Sequence, residues 1–229
     1  KQSRLLLAIM TNFFHTHVHS EFSCLDGMAD ISRMAEKVAK LKQPALALTD
    51  HGNMSGAFQL YKACRANNIL PFIGLEAYVV LDRNDKKAKR NHLSLISYTT
   101  DGYKNLAKLS TLSHERDHYH YKPLLDVNDL AEISANGMLK GIACLTGCYF
   151  GLVSQAVVHG ENKKAESIIR TLEQIFEKVF IEVQNHKAEH GDGWNDDRLV
   201  SELYTMANWL GLPAIISQDS HYCDKSEKD

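Results

Sequence analysis

Residues 30–52 read DISRMAEKVAKLKQPALALTDHG, and they hold one complete structural unit. Ile31, Met34, Val38 and Leu41 recur three and four apart, the spacing of a single buried helix face, and Asp30 stands where an N-cap belongs. Residues 45–49 then read as a short apolar strand that stops on Asp50-His51-Gly52. The same alternation continues outward in both directions. Strands are expected at 13–18, 71–80, 93–98, 141–146, 179–184 and 213–217, and helices at 56–67, 103–112, 150–159, 163–176 and 197–210. Residues 114–126 read as irregular and polar, and 82–91 as a charged loop. About seven strands alternating with helices predict parallel βαβ units in one α/β domain, either a barrel or a doubly wound sheet.

Composition narrows the function classes. The chain has 229 residues, with 26 Lys+Arg against 28 Asp+Glu and a formal charge of −2. A near-neutral chain cannot grip duplex DNA by bulk charge, so any nucleic-acid contact must be local. No apolar run approaches the roughly 18 residues that span a bilayer. Cysteines number five, with no CxxC spacing, which suits a reducing cytosol better than a disulfide framework. The start, residues 1–9, has too short an apolar run for a secretory signal, and Met10 is a possible natural start. The expected organisation is an extension at 1–12, a domain at 13–224 and a charged tail at 225–229.

Twelve histidines are about twice the usual share, and their placement matters more than their number. His17 and His19 are two apart at the end of the first expected strand, so both imidazoles share one face. Asp26 follows. Asp50 and His51 end the second strand, Glu76 lies in the third, His92 heads the fourth, and Cys148 follows the fifth. Asp219 and His221 follow the seventh, again two apart. Chemistry in such folds sits at the carboxyl ends of strands, where most of these residues fall; His92 and Glu76 fit less neatly. Imidazole, carboxylate and thiolate together suit zinc, iron or manganese better than calcium or magnesium. The set exceeds one tetrahedral site and would serve two or three ions, with Glu76 or Asp219 bridging. Clustered divalent ions activate water and clamp a phosphoryl group, so phosphate-ester hydrolysis is the natural reaction class. Neither GxSxG nor GxxxxGK[ST] competes with it.

The ordered segments FFHTHVHSEFSCLD (13–26), ALALTDHGNMSGA (45–57), PFIGLEAYV (71–79), NHLSLIS (91–97), CLTGC (144–148), FIEVQNH (180–186) and ISQDSHY (216–222) resemble the PHP (polymerase and histidinol phosphatase) domain family. Within it, they resemble the branch at the N-terminus of bacterial DNA polymerase III alpha subunits. The resemblance implies a distorted seven-stranded (β/α) barrel of TIM-barrel type, with its metal site at the C-terminal ends of the strands. It implies the ligands His17, His19, Asp26, His51, Glu76, His92, Cys148, Asp219 and His221, with Asp50 behind them. Glu76 and Asp219 would bridge ions and serve water activation. The implied activity is a metal-dependent 3′–5′ exonuclease that trims a DNA primer end during replication. The implied partners are DNA, the rest of the polymerase chain and replisome subunits, in the cytoplasm. Two alternatives stand beside it: a silent metal-binding structural module, and a phosphatase for a small phosphomonoester such as histidinol phosphate. Nothing in the chain resembles a polymerase palm or fingers, so polymerisation itself is not expected of it.

Other residues are read more locally. Lys87, Lys89 and Arg90, with Lys86, form a basic run just before His92 that could touch a DNA backbone. His186 could touch substrate or serve a structural hydrogen bond. Tyr119 and Tyr121 could stack on a frayed base or pack under the loop. His15, His114, His118 and His120 are expected as exposed loop histidines. Family members often carry Arg where Leu124 stands, so a phosphate or domain contact there would be missing.

Overall fold

The computed structural model describes residues 13–85 and 87–227; the expected extension at 1–12, with Met10, lies outside them, as do Lys86 and the last two residues of the charged tail. In chain order the elements are α1 (Ile31–Lys40), β1 (Ala45–Leu48), α2 (Ala57–Ala66), β2 (Leu70–Val80), β3 (Asn91–Ser97), α3 (Thr100–Ser113), β4 (Tyr119–His120) and β5 (Lys122–Asp126). There follow α4 (Val127–Ala135), β6 (Ile142–Leu145), α5 (Leu152–Val158), α6 (Asn162–Ile175), β7 (Lys178–Gln184), β8 (Glu189–Gly191), β9 (Trp194–Asn195), α7 (Asp196–Leu210) and β10 (Ala214–Ser217). Lys225–Glu227 form a short 3-10 turn. No helix among the described residues is long and apolar enough to cross a membrane.

The main sheet curls in the order β10-β7-β6-β3-β2, with β1 pairing the first half of β2 and β5 its second half. The segment expected as the first strand, residues 13–18, closes the curl without becoming a regular strand. Ala47 N–H donates to the His15 carbonyl and Thr49 N–H to that of Val18, while His19 N–H donates to the Ser220 carbonyl on the other side. Val18 N–H donates to the Thr49 hydroxyl (3.0 Å) instead of a ladder carbonyl. A side chain thus takes a place the backbone would hold, and the ladder breaks there.

The expectation of parallel pairing throughout fails at β3, which runs antiparallel to both β2 and β6. Residues 81–90 are too few for a crossover helix, so the chain turns back as a hairpin. Residues 114–126, expected as irregular, contain the β4–β5 hairpin, and α4 follows directly. Asp30 caps α1 through Arg33 N–H (2.8 Å), as its position suggests.

Period-two alternation sorts each strand into an outer and an inner row. Leu75, Val79, Leu93, Leu95, Val179, Ile181 and Val183 face outward into one core with helices α3–α7. Helices α1 and α2 pack a second core against Leu46 and Leu48. The inner rows begin as an apolar plug of Ala47, Phe72, Ile96, Leu145, Phe180 and Ile215. Two residues further along, four of these rows turn polar at the buried Thr49, Ser94, Glu182 and Ser217, and the other two pass through Gly74 and Gly147. One step more brings His51, Glu76 or Tyr78, His92 and Asp219. The barrel interior therefore grades from plug to polar layer to ionisable rim.

Candidate metal centre

Glu76, 1% exposed, is the hub. His17 Nε2 lies 3.2 Å and His92 Nδ1 2.9 Å from its Oε1; His19 Nε2 lies 3.7 Å from Oε2, and His51 Nδ1 abuts the same oxygen. Cys148 Sγ is 3.7 Å from Glu76 Oε1 and 3.6 Å from His92 Nδ1. Asp219 Oδ1 lies 3.3 Å from His17 Nε2 and 3.1 Å from His19 Nε2. Asp26, half exposed, sits at the mouth, 3.1 Å from His51 Nε2 and 3.8 Å from His221 Nε2. All nine residues expected as ligands therefore converge. His92 fits because β3 is reversed: the start of an antiparallel strand lies level with the ends of its parallel neighbours.

Local backbone devices bring them there. Asp219 holds a left-handed φ of 47°, uncommon for a residue with a side chain and characteristic of functional sites. Gly27 allows the tight return that carries Asp26 to the mouth, since a Cβ there would stand 1.9 Å from the Ser20 carbonyl oxygen. Gly147, at φ +87°, lets the loop after β6 pass His92 so that Cys148 turns inward; a Cβ would meet the His92 carbonyl oxygen at 2.6 Å.

Behind the rim, acceptors fix the imidazoles. His17 Nδ1–H donates to Glu182 Oε1 (2.7 Å), leaving Nε2 as a lone pair aimed at the centre. His19 Nδ1–H donates to Ser23 Oγ (2.9 Å), which donates to Asp50 Oδ1 (2.7 Å). Asp50 also accepts Ser20 N–H (2.7 Å), so it sets the loop that orients His19. His221 Nδ1–H donates to the Asp219 carbonyl (2.8 Å). Such outer contacts select the tautomer that can bind a metal.

The donors also pass a test of fit. Among the described residues, the buried side-chain polar atoms without a hydrogen-bond partner include His17 Nε2, His19 Nε2, His51 Nδ1, Glu76 Oε2 and Asp219 Oδ1. They crowd within a few ångströms of one another without hydrogen-bonding geometry, which is how atoms stand when they share cations rather than protons. Among the described residues, three triplets satisfy metal-ligand spacing: His19/His51/His221, His17/His19/Glu76 and Glu76/His92/Cys148. The residues fit divalent metal ions.

The protein's own charges point the same way. Burial works against charge on His17, but Asp219, Glu182 and Glu76 outweigh it and raise its pKa well above the ordinary imidazole value. His51 is also raised, because Glu76 and Asp26 overcome its burial. His19 is lowered, since burial prevails there. Burial opposes ionisation of Glu76 and Asp219, yet His17 and the neighbouring imidazoles hold both well below the carboxylate range. Burial, then Glu76 and Asp219, push the Cys148 thiol well above 9.0. The centre attracts positive charge, whether proton or metal.

The other expected residues lie apart from it. Among the described residues, Lys87, Lys89 and Arg90 make no hydrogen bond or ion pair to the nine. Lys87 is exposed, Lys89 lines an outer groove of about 380 Å³ with Asp82 and Glu161, and Arg90 donates to the His120 carbonyl (2.9 Å). His186 Nε2 donates to the Gln218 carbonyl (2.7 Å) and its ring lines a cavity beside Asp219. His114 and His120 are exposed, but His15 is half-buried, and His118 is buried, its Nε2 3.1 Å from Asp129 and 2.9 Å from Arg83, so that it packs against the Arg83–Asp129 ion pair instead of lying open in the loop. Leu124 stands opposite Tyr78 in β5. Tyr119 and Tyr121 are exposed rather than packed under the loop. Glu182 is the residue sequence reasoning missed. Its signal was available: a carboxylate sharing the inner row of a strand whose other row is Val179, Ile181 and Val183.

A barrel that gathers histidines, carboxylates and a cysteine thiol at one rim defines a metal-centre fold, and the PHP domain model matches residues 15–186. The chain belongs to the PHP domain family. More narrowly, it is similar to DNA polymerase III alpha subunits: 34% identical to that of Borreliella burgdorferi over 229 residues, covering 96% of this chain and 19% of that one. It is 35% identical to that of Treponema pallidum over 225 residues, covering 94% and 18%. The chain thus spans about a fifth of the length of the curated relatives it matches. The fold is also that of a solved Bifidobacterium adolescentis protein assigned as a metal-dependent phosphoesterase (12% identical, TM-score 0.59, 91% of this chain and 87% of that one). A solved amidohydrolase from Chromobacterium violaceum shares it at 11% identity and a TM-score of 0.54, with the same coverage.

Proposed function

We propose that this PHP domain is the metal-dependent phosphodiesterase module of a DNA polymerase III alpha-type chain, acting as a 3′–5′ exonuclease on a DNA primer end. The observation that carries the proposal is the ring of five buried, partnerless donor atoms around Glu76 and Asp219. His17, His19, Asp26, His51, Glu76, His92, Cys148, Asp219 and His221 would hold the ions, zinc, manganese or iron. Bound there, divalent ions supply activation of water and neutralisation of phosphoryl charge. The protein's own contribution is orientation. Glu182 and Ser23 keep the Nε2 lone pairs of His17 and His19 facing inward, and Asp50 holds Ser23. Hydrolysis joins the water oxygen to phosphorus and breaks the P–O3′ bond. The proton lost by the water ends on the departing 3′-oxygen, which becomes a hydroxyl, and a nucleoside 5′-monophosphate leaves.

The test is digestion of a 5′-labelled single-stranded oligonucleotide with manganese or zinc, beside a chelator control. A chelator-sensitive ladder shortening from the 3′ end, abolished by Asp219→Asn, is the expected result. No cleavage with any metal would refute the reading and direct attention to the silent-module and small-phosphomonoester alternatives, with p-nitrophenyl phosphate as the next substrate.

A further inference from the structure

Beside the metal centre lies a cavity of about 190 Å³ that the nine candidate ligands do not explain. Cys148 and Asp219 line it together with Ser154, Leu199 and Leu203. Two observations mark it as more than a packing gap. The Ser154 hydroxyl, on α5, is buried with no hydrogen-bond partner among the described residues, a polar group that the fold leaves unsatisfied beside the cavity. The cavity also holds a prepared flat surface: the His190 and Tyr149 rings stack at 3.8 Å between centroids, tilted by 15°. Asp196, itself 5% exposed, fixes this surface. Its Oδ1 pairs with His190 Nε2, and its Oδ2 accepts the backbone N–H of His186 (2.6 Å) and Ala188 (3.1 Å).

We infer that this cavity is the subsite for the 3′-terminal nucleoside of a DNA strand, its base against the Tyr149–His190 pair and Ser154, and its 5′-phosphate turned toward the metal centre that Asp219 would help to form. The inference rests on the phosphodiesterase reading above and adds the substrate unit recognised. A planar ring carrying hydrogen-bonding edges matches a pocket that is apolar at Leu199 and Leu203 and polar at Ser154 and His186. Base–aromatic stacking tolerates any base, so the pocket selects a strand end rather than a sequence.

The test compares two chromogenic diesters, thymidine 5′-(p-nitrophenyl phosphate) and bis(p-nitrophenyl) phosphate, with manganese. Ser154→Leu and Leu199→Trp, on α5 and α7, each fill the cavity. Each should lower the kcat/KM ratio of nucleotide ester to plain ester about tenfold, through KM, and weaken dTMP binding in calorimetry about tenfold. Bound metal per chain should not change. In the wild-type protein, dTMP base protons should show nuclear Overhauser contacts to the His190 ring, a measurement that needs no variant to fold. An unchanged ester ratio with unchanged dTMP affinity, or contacts to other rings only, would overturn the subsite. If the wild-type protein cleaves neither ester, the phosphodiesterase reading fails separately. The dTMP titration and contacts then decide the subsite, and absence of binding overturns it.

Discussion

Replacing Glu182 by glutamine changes one atom and should weaken metal binding from behind the ligand ring. The carboxylate, fully buried, accepts from His17 Nδ1, Gln184 Nε2 and Ser217 Oγ on one oxygen, and from Ser94 Oγ and the Gly147 backbone on the other. The two hydroxyls can rotate to suit a carboxamide; the imidazole, amide and backbone N–H groups cannot. Whichever way the new carboxamide turns, its NH2 faces either Gly147 N–H (3.1 Å) or His17 and Gln184 (2.7 and 3.1 Å). One buried donor is left without an acceptor, at a cost of about 1–3 kcal/mol of stability. Loss of the contact that orients His17 should cost roughly 10–100-fold in metal affinity, about 1.4–2.8 kcal/mol.

The pH dependence separates this account from general damage. Glu182 is one of three carboxylates that raise the His17 pKa, so removing its charge also weakens the competing proton. The deficit in affinity should be largest near pH 8 and should narrow as pH falls. The assay is zinc titration against a chromophoric chelator at several pH values, with thermal melting in parallel. Affinity within about twofold of wild type at pH 8, or a deficit that grows in acid, would refute the reasoning.

Further outcomes follow from the same geometry. Metal affinity should decline from above pH 6.5 downward, because His17 keeps its proton past its ordinary value; binding unchanged between pH 7 and about pH 5 would contradict this. Without metal the sign reverses. The raised His17 stabilises the fold below 6.5 and loses that effect as pH rises through its folded pKa, whereas the lowered Glu76 and Asp219 stabilise it above 4.5 and 3.8 and lose that effect in acid. Melting of chelator-stripped protein should therefore be highest between about pH 4.5 and 6.5 as far as these groups govern it. Cys148 must give up a thiol proton held well above 9.0, so calorimetry in buffers of different ionisation enthalpy should show about one proton fewer released by Cys148→Ser. Glu76 belongs to two of the three metal-spaced triplets and Cys148 to one. Glu76→Ala should consequently lose more bound metal per chain, by elemental analysis, than Cys148→Ser.

What could be read of this centre from sequence is pairing at the strand period: His17 with His19, and Asp219 with His221, each place two metal-ligand side chains two residues apart next to an expected strand. Direction is what the pattern lacks. Alternation reads the same forward and backward, so it predicts β3 as parallel and puts His92 at the wrong end of its strand. Only the shortness of the 81–90 connection betrays the reversal, and it also explains the ligand. Glu76 resists placement for a related reason: β2 runs past the rim to pair with β5, leaving the rim at mid-strand. Glu182 is hidden differently. It sits one layer below the rim, where the inner rows pass from the Phe180 plug to the ligands, and nothing in FIEVQ says which layer it occupies. Its depth becomes visible only when Ser94, Gly147 and Ser217, from three other segments, are seen to donate to it. The rim ligands can be recognised along one chain, whereas the contact that aims His17 exists only across the barrel.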